Sequence, residues 1–209
     1  MALDNADELS AVLEERERLG KVFARHAYGM RAWVDLFSAR VPEIEAPEVK
    51  ALVATLVADN ARHMMLFRER AAALGVDPDA YACPPEGEAI YDRIPELVSV
   101  DDLLGYALGS LEHFDELLAV YRVAAAGADA AASRVGAAAA GVDAAGSRVG
   151  VAAGDADAAA IDSVRADVAR MRRDLRARLG PAAPLLTAEA HERYRVRELA
   201  ETPLYAHAA

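Results

Sequence analysis

The 209-residue sequence is poor in lysine, cysteine and aromatic side chains and has no long apolar run. Lys21 and Lys50 are its only lysines, so almost all of its positive charge is arginine, and its formal net charge is −11. A chain this acidic lacks the broad basic surface that nucleic acid requires. Cys83 is the single cysteine, which excludes an intrachain disulfide. No uninterrupted apolar stretch approaches the roughly 18 residues of a membrane span. The opening MALDNADEL is acidic and has no apolar centre, so no secretory signal is expected there. These absences lead to the expectation of a cytoplasmic protein that binds neither membrane nor nucleic acid.

Alanine and leucine are abundant, aromatics make up only 6%, and the prolines fall in a few clusters. That balance favours helix over sheet. Apolar residues recur at threes and fours through Val12, Leu19, Phe23, Met30, Trp33 and Phe37, predicting a first helix over residues 6–40 that Pro42 stops. A second helix is expected from Pro47 to Gly75, striped by Val49, Val53, Leu56, Val57, Met64, Phe67, Ala71 and Leu74. The proline-bearing stretch 76–98 is long enough to run the length of a bundle, which would leave the second and third helices parallel. Ser99 and Asp102 form a capping pair for a third helix reaching about residue 126. A fourth helix is expected over 158–179, ended by Gly180-Pro181, and a short one over 188–200. The fold expected is therefore all-α: a single four-helix bundle domain over 1–209, with one long crossover and a short C-terminal helix.

Between the third and fourth helices lies an alanine- and glycine-rich repeat, an insertion over 128–157. It reads YRVAAAGADAAA from Tyr121, SRVGAAAAGVDAAG from Ser133 and SRVGVAAGDADAAA from Ser147. Duplication of a once-short loop accounts for it, and compositional bias of this kind seldom encodes chemistry.

Polar residues interrupt the buried stripes at a few positions. His26 lies between Phe23 and Met30, Asn60 in the middle of the second helix's stripe and His63 at its edge. A turn centred near Ile44 sets His26 and His63 at one height. The third helix carries Glu112, His113, Asp115 and Glu116 at a similar depth, with His113 nearest its apolar arc. Buried polar groups are costly unless paired or ligated. Each also has a plainer account: His26 a hydrogen-bonded core histidine, Asn60 a buried spacer, Glu112 and Glu116 a solvated face. His191 and His207 are expected to be exposed, and Cys83 has no nearby metal-ligating partner.

The run DNARHMMLFRERAAALG, from Asp59 to Gly75, resembles the second helix of ferritin-like and rubrerythrin-like proteins. There a Glu-x-x-His motif binds metal, often with an arginine before the histidine. Here Arg62 precedes His63, and Asn60 stands where the glutamate would be. The resemblance implies a ferritin-like bundle, a small-molecule substrate and an iron- or other transition-metal-dependent oxidoreductase. Its atypical histidine-rich site would use His26, His63, Glu112, His113 and Glu116 as ligands, with Asn60 beside them. The departures are specific. The first helix has no glutamate at this height, Glu15 being an inward-facing position about three turns away. The fourth helix presents Ile161, Val164, Val168, Met171 and Leu175 inward. The alternative is a bundle without metal that binds a small molecule or another protein. A hydrolase-like bundle with a His-x-x-x-His pair ranks last, since no such pair exists here. An iron-storage shell is disfavoured by the bulk of the repeat and the C-terminal segment, which leaves a smaller homo-oligomer open.

Overall fold

A computed structural model describes residues 13, 15–82, 97, 99–139 and 148–193, without the side chains of 128–155. Among the described residues the chain is all-α, with four long helices: α1 (Arg16–Arg40), α2 (Pro47–Ala73), α3 (Val100–Ala139) and α4 (Arg148–Leu179), followed by a short α5 (Ala183–Arg193). None of these helices is long and apolar enough to cross a membrane. Residues 1–12, most of the crossover with Cys83, and His207 lie outside the described residues.

Local chemistry sets the helix ends. Pro47 opens α2 in its first turn, where the missing N–H costs nothing. At the other end Gly75 takes φ +82°, and the amides of Gly75 and Val76 return to the carbonyls of Ala72 and Ala71 at 3.0 Å each. This is a Schellman ending, which needs a residue tolerant of the left-handed region. At the start of α3, Ser99 Oγ accepts the Asp102 amide at 3.0 Å and Asp102 Oδ2 accepts the Ser99 amide at 3.1 Å, the reciprocal capping pair expected from the sequence.

Side-chain contacts fix the helix directions. Phe23 of α1 stacks on Phe67 of α2 at 5.0 Å, and a Cβ on Gly20 would meet Leu74, so α1 and α2 are antiparallel. His26 contacts Tyr121 while Arg40 donates to the Leu97 carbonyl just before α3, so α1 and α3 are also antiparallel. Helices α2 and α3 therefore run parallel. Asp59 bonds to Arg170 and Arg70 to Asp157, which sets α4 against α2. The described parts of the crossover follow α1: Val76 lies against Gly20 near its start, Tyr81 against Tyr28 at its middle and Leu97 at Arg40 at its end. Between the helices, Phe23, Phe37, Val53, Leu56, Phe67, Leu104, Tyr121, Ile161, Val168 and Leu175 form one apolar core.

Several boundaries differ from the periodicity. The expected helix over 6–40 is interrupted at Glu15, whose backbone is extended, and α1 begins at Arg16. α3 continues to Ala139 and α4 begins at Arg148, so described parts of the repeat prolong both helices. Alanine, the strongest helix former, carries the helix onward where no apolar stripe marks it. The short final helix spans Ala183–Arg193, earlier than 188–200. Gly180, at φ +54°, turns the chain straight into it, and it docks on a Gly-x-x-x-Gly face of α3. A Cβ on Gly105 would sit 2.7 Å from Leu186 Cβ, and one on Gly109 would sit 3.4 Å from Ala190 Cβ. Only glycine at 105 allows this approach.

The repeat length has a consequence for stability. A 14-residue unit divided between two antiparallel helices adds about seven residues to each, close to two turns at about 3.6 residues per turn. Core-facing stripes therefore keep their phase. Each unit also ends Asp-Ala-Ala-Ala or Asp-Ala-Ala-Gly, at Asp129, Asp143 and Asp157. Asp157 is buried and accepts from Arg70 at 2.7 Å. Deleting 133–146 keeps that pair; deleting 147–160 puts Asp143 in its place. Either deletion is expected to shift the melting temperature by less than about 3 °C, measured by circular dichroism. A loss of cooperative unfolding would show that the deleted unit packs on the bundle.

Candidate functional site

The α1–α2 connection places the polar layer. The sequence predicts His26 and His63 meeting at one height; the stacking of Phe23 on Phe67 at 5.0 Å keeps the two histidines at similar height, but His26 turns to Tyr121 of α3 and His63 to Asp167 of α4.

His26 is buried where α1, α2 and α3 meet. Its Nε2 lies 2.8 Å from the Tyr121 hydroxyl, and its ring packs on Phe114 at 5.0 Å and on Tyr121 at 5.3 Å. Burial holds its pKa well below the ordinary histidine value, and the nearby charges of Arg25 and His113 press it the same way. His113 is buried on α3, with Nδ1 3.6 Å from Glu116 Oε2. Glu116 is itself mostly exposed, and Glu112 is paired with Arg176 of α4. Asn60 is buried in α2, and its side-chain amide donates to the Leu56 carbonyl one turn back at 2.8 Å. Glu15 is exposed rather than inward-facing, and accepts from Arg18 at 2.8 Å.

His63 belongs to a different group. It is 2% exposed on α2, and its Nε2 lies 3.0 Å from Asp167 Oδ2 on α4. Arg62 donates to both Asp59 at 2.7 Å and Asp167 at 2.6 Å; Arg170 donates to the same two carboxylates at 2.6 and 3.1 Å. Burial lowers the His63 pKa, against the opposing pull of Asp167. Burial would raise Asp167, but hydrogen bonds from His63, Arg62 and Arg170 outweigh it and hold the carboxyl well below the usual range. At neutral pH His63 is therefore neutral and donates Nε2–H to an ionised Asp167. The group latches α2 to α4, its carboxylates already neutralised by two guanidiniums.

The predicted ligands thus divide. His26 lies on the α1–α3 side among aromatic rings and His113 is buried on α3, while His63 turns to α4. Among the described residues no three His, Cys, Asp or Glu side chains come together in an arrangement that could hold a metal ion.

Sequence reading missed Asp167, Arg170 and Asp157 of α4. The signal was present: continuing the stripe of Ile161, Val164, Val168, Met171 and Leu175 back by four residues reaches Asp157, and Asp167 flanks it beside Val168.

A cleft of about 620 Å³ opens between α3, the end of α4 and α5. Leu108, Ala183, Pro184 and Ala188 supply its apolar wall, with Glu112 and Arg176 on one side and His191 on another. His191, expected in an exposed tail, is half-buried on α5 because α5 begins early and packs on α3.

Comparison of the chain with protein-family models, with curated proteins and with solved structures gives no match.

Proposed function

We propose that this chain is a ferritin-like bundle without a resident metal, acting as a small-molecule-binding module. The parallel α2 and α3, joined by a crossover whose ends lie at opposite ends of α1, support the layout. The observation that carries the metal-free reading is how the candidate ligands are used. His26 is engaged by Tyr121, His63 by Asp167, Asn60 by the Leu56 carbonyl and Glu112 by Arg176. Arg62 and Arg170 also sit on the one carboxylate beside His63, and their charge opposes a metal cation there.

The test is the metal content of protein purified without chelator, together with a His63→Ala variant. The expected result is metal well below one ion per chain in both proteins. The variant should lose about 1–3 kcal/mol of stability, because Asp167 and its arginines lose a buried partner. The metal-dependent oxidoreductase implied by the resemblance requires the opposite: iron or another transition metal in stoichiometric amount, lost when His63 is replaced.

A further inference from the structure

A cleft open to solvent lies between α3, the end of α4 and α5, lined by Glu112 but by none of the buried histidines His26, His63 and His113. Its volume, about 620 Å³, falls within the roughly 300–1,000 Å³ usual for small-molecule pockets. Leu108 of α3 and Ala183, Pro184 and Ala188 at the α4–α5 corner make its apolar surface. Small side chains on α5 leave that space open, and α5 is held in place by its close approach to Gly105.

The charge at the cleft indicates the class of ligand. Arg176 bonds to Glu112, and among the described residues this is its one hydrogen bond. A guanidinium carries five N–H donors in a planar fork matched to carboxylate geometry. Its side chain is 51% exposed, while that of Glu112 is 22% exposed, so the cation is the group offered to an incoming molecule. We infer that this cleft binds a small amphipathic carboxylate, its apolar chain or ring against Leu108, Pro184 and Ala188 and its carboxylate on Arg176. The inference rests on the binding-module reading above and names the substrate class for it.

The probe is octanoate, with octylamine and octanol as controls, titrated into the full chain and followed by amide chemical shifts. A ligand of this size is expected to bind with a Kd of about 1 mM. The shifts should centre on Leu108, Ala183 and Ala188, and the two controls should bind at least about tenfold more weakly. Arg176→Gln should remove the preference for octanoate over octanol. Ala188→Trp replaces an exposed alanine, so it should block the cleft while leaving the melting temperature unchanged. Absence of saturable octanoate binding, equal or tighter binding of octylamine, or shifts elsewhere on the bundle would each overturn the assignment. None of these outcomes bears on metal content, so the metal-free reading is judged separately.

Discussion

Phe67→Ala is expected to destabilise the protein by about 3–5 kcal/mol, the cost of removing a fully buried aromatic ring from a core that cannot collapse around the gap. Phe67 is 0% exposed. It stacks on Phe23 of α1 at 5.0 Å, meets Phe114 of α3 edge-on at 6.4 Å, and lies beside His26. One side chain thus joins three helices, and α1 and α3 approach each other here through side chains of this size. Removing it also loosens the seat of His26, whose bond to Tyr121 spans α1 and α3. Urea unfolding should show the midpoint falling with little change in slope. Met65, two residues away and 58% exposed, is the control: Met65→Ala should stay within about 0.5 kcal/mol. A loss under about 1 kcal/mol for Phe67→Ala would mean that the cluster does not carry the packing among these helices.

The buried seam was legible because helices with one apolar face repeat at threes and fours. Leu19, Phe23, His26, Met30, Trp33 and Phe37 step through α1 at that spacing; Val49, Val53, Leu56, Asn60, His63 and Phe67 do so through α2. A polar residue on such a series is buried whatever its chemistry, so burial of His26, Asn60 and His63 followed directly. Their partners did not. A hydrogen bond between helices depends on which neighbour each side chain faces as well as on height. His26 turns to Tyr121 of α3 and His63 to Asp167 of α4, so the two do not meet. Asp167 escaped for another reason: it sits on the edge of an apolar stripe, where an acidic residue reads as solvated until two arginines and a histidine are brought to it.

The Gly105-Tyr-Ala-Leu-Gly109 face shows the same limit from the other side. Small residues four apart permit close helix contact, but nothing in α3 itself says which helix arrives. That Leu186 and Ala190 fill this face depends on where α5 starts, which Gly180 decides. The cleft beside it is therefore a product of topology: Leu108, Arg176 and Ala188 come from three different helices and meet only once α5 is docked.

Acid should weaken this fold well before its carboxylates titrate. His26 and His63 are both buried with pKa values lowered by burial, so the folded protein holds them neutral while the unfolded chain protonates them near pH 6.5. For a histidine depressed in this way the stability contribution is complete above the unfolded value and is lost as pH falls toward the folded one. As pH falls below about 6.5, each such histidine should remove at most about 1.4 kcal/mol per pH unit, with His26, the more strongly depressed of the two, contributing more. The groups around them do not reverse the sign. Arg25 and His113 oppose a charge on His26, and Tyr121 is neutral. Asp167 favours a charged His63, but less than burial disfavours it, and Arg62 opposes it. Asp157, whose carboxyl is raised by burial against the pull of Arg70, contributes in the opposite direction. Urea unfolding at intervals from pH 8 to pH 5 should therefore give a plateau above about pH 7 and a steady decline below about pH 6.5. His26→Gln should cost stability at pH 8, because the fit to Tyr121 is lost, yet reduce the slope of the acid limb by the share of one histidine. An unchanged slope in that variant, or wild-type stability flat down to pH 5, would show that the buried histidines are protonated without penalty.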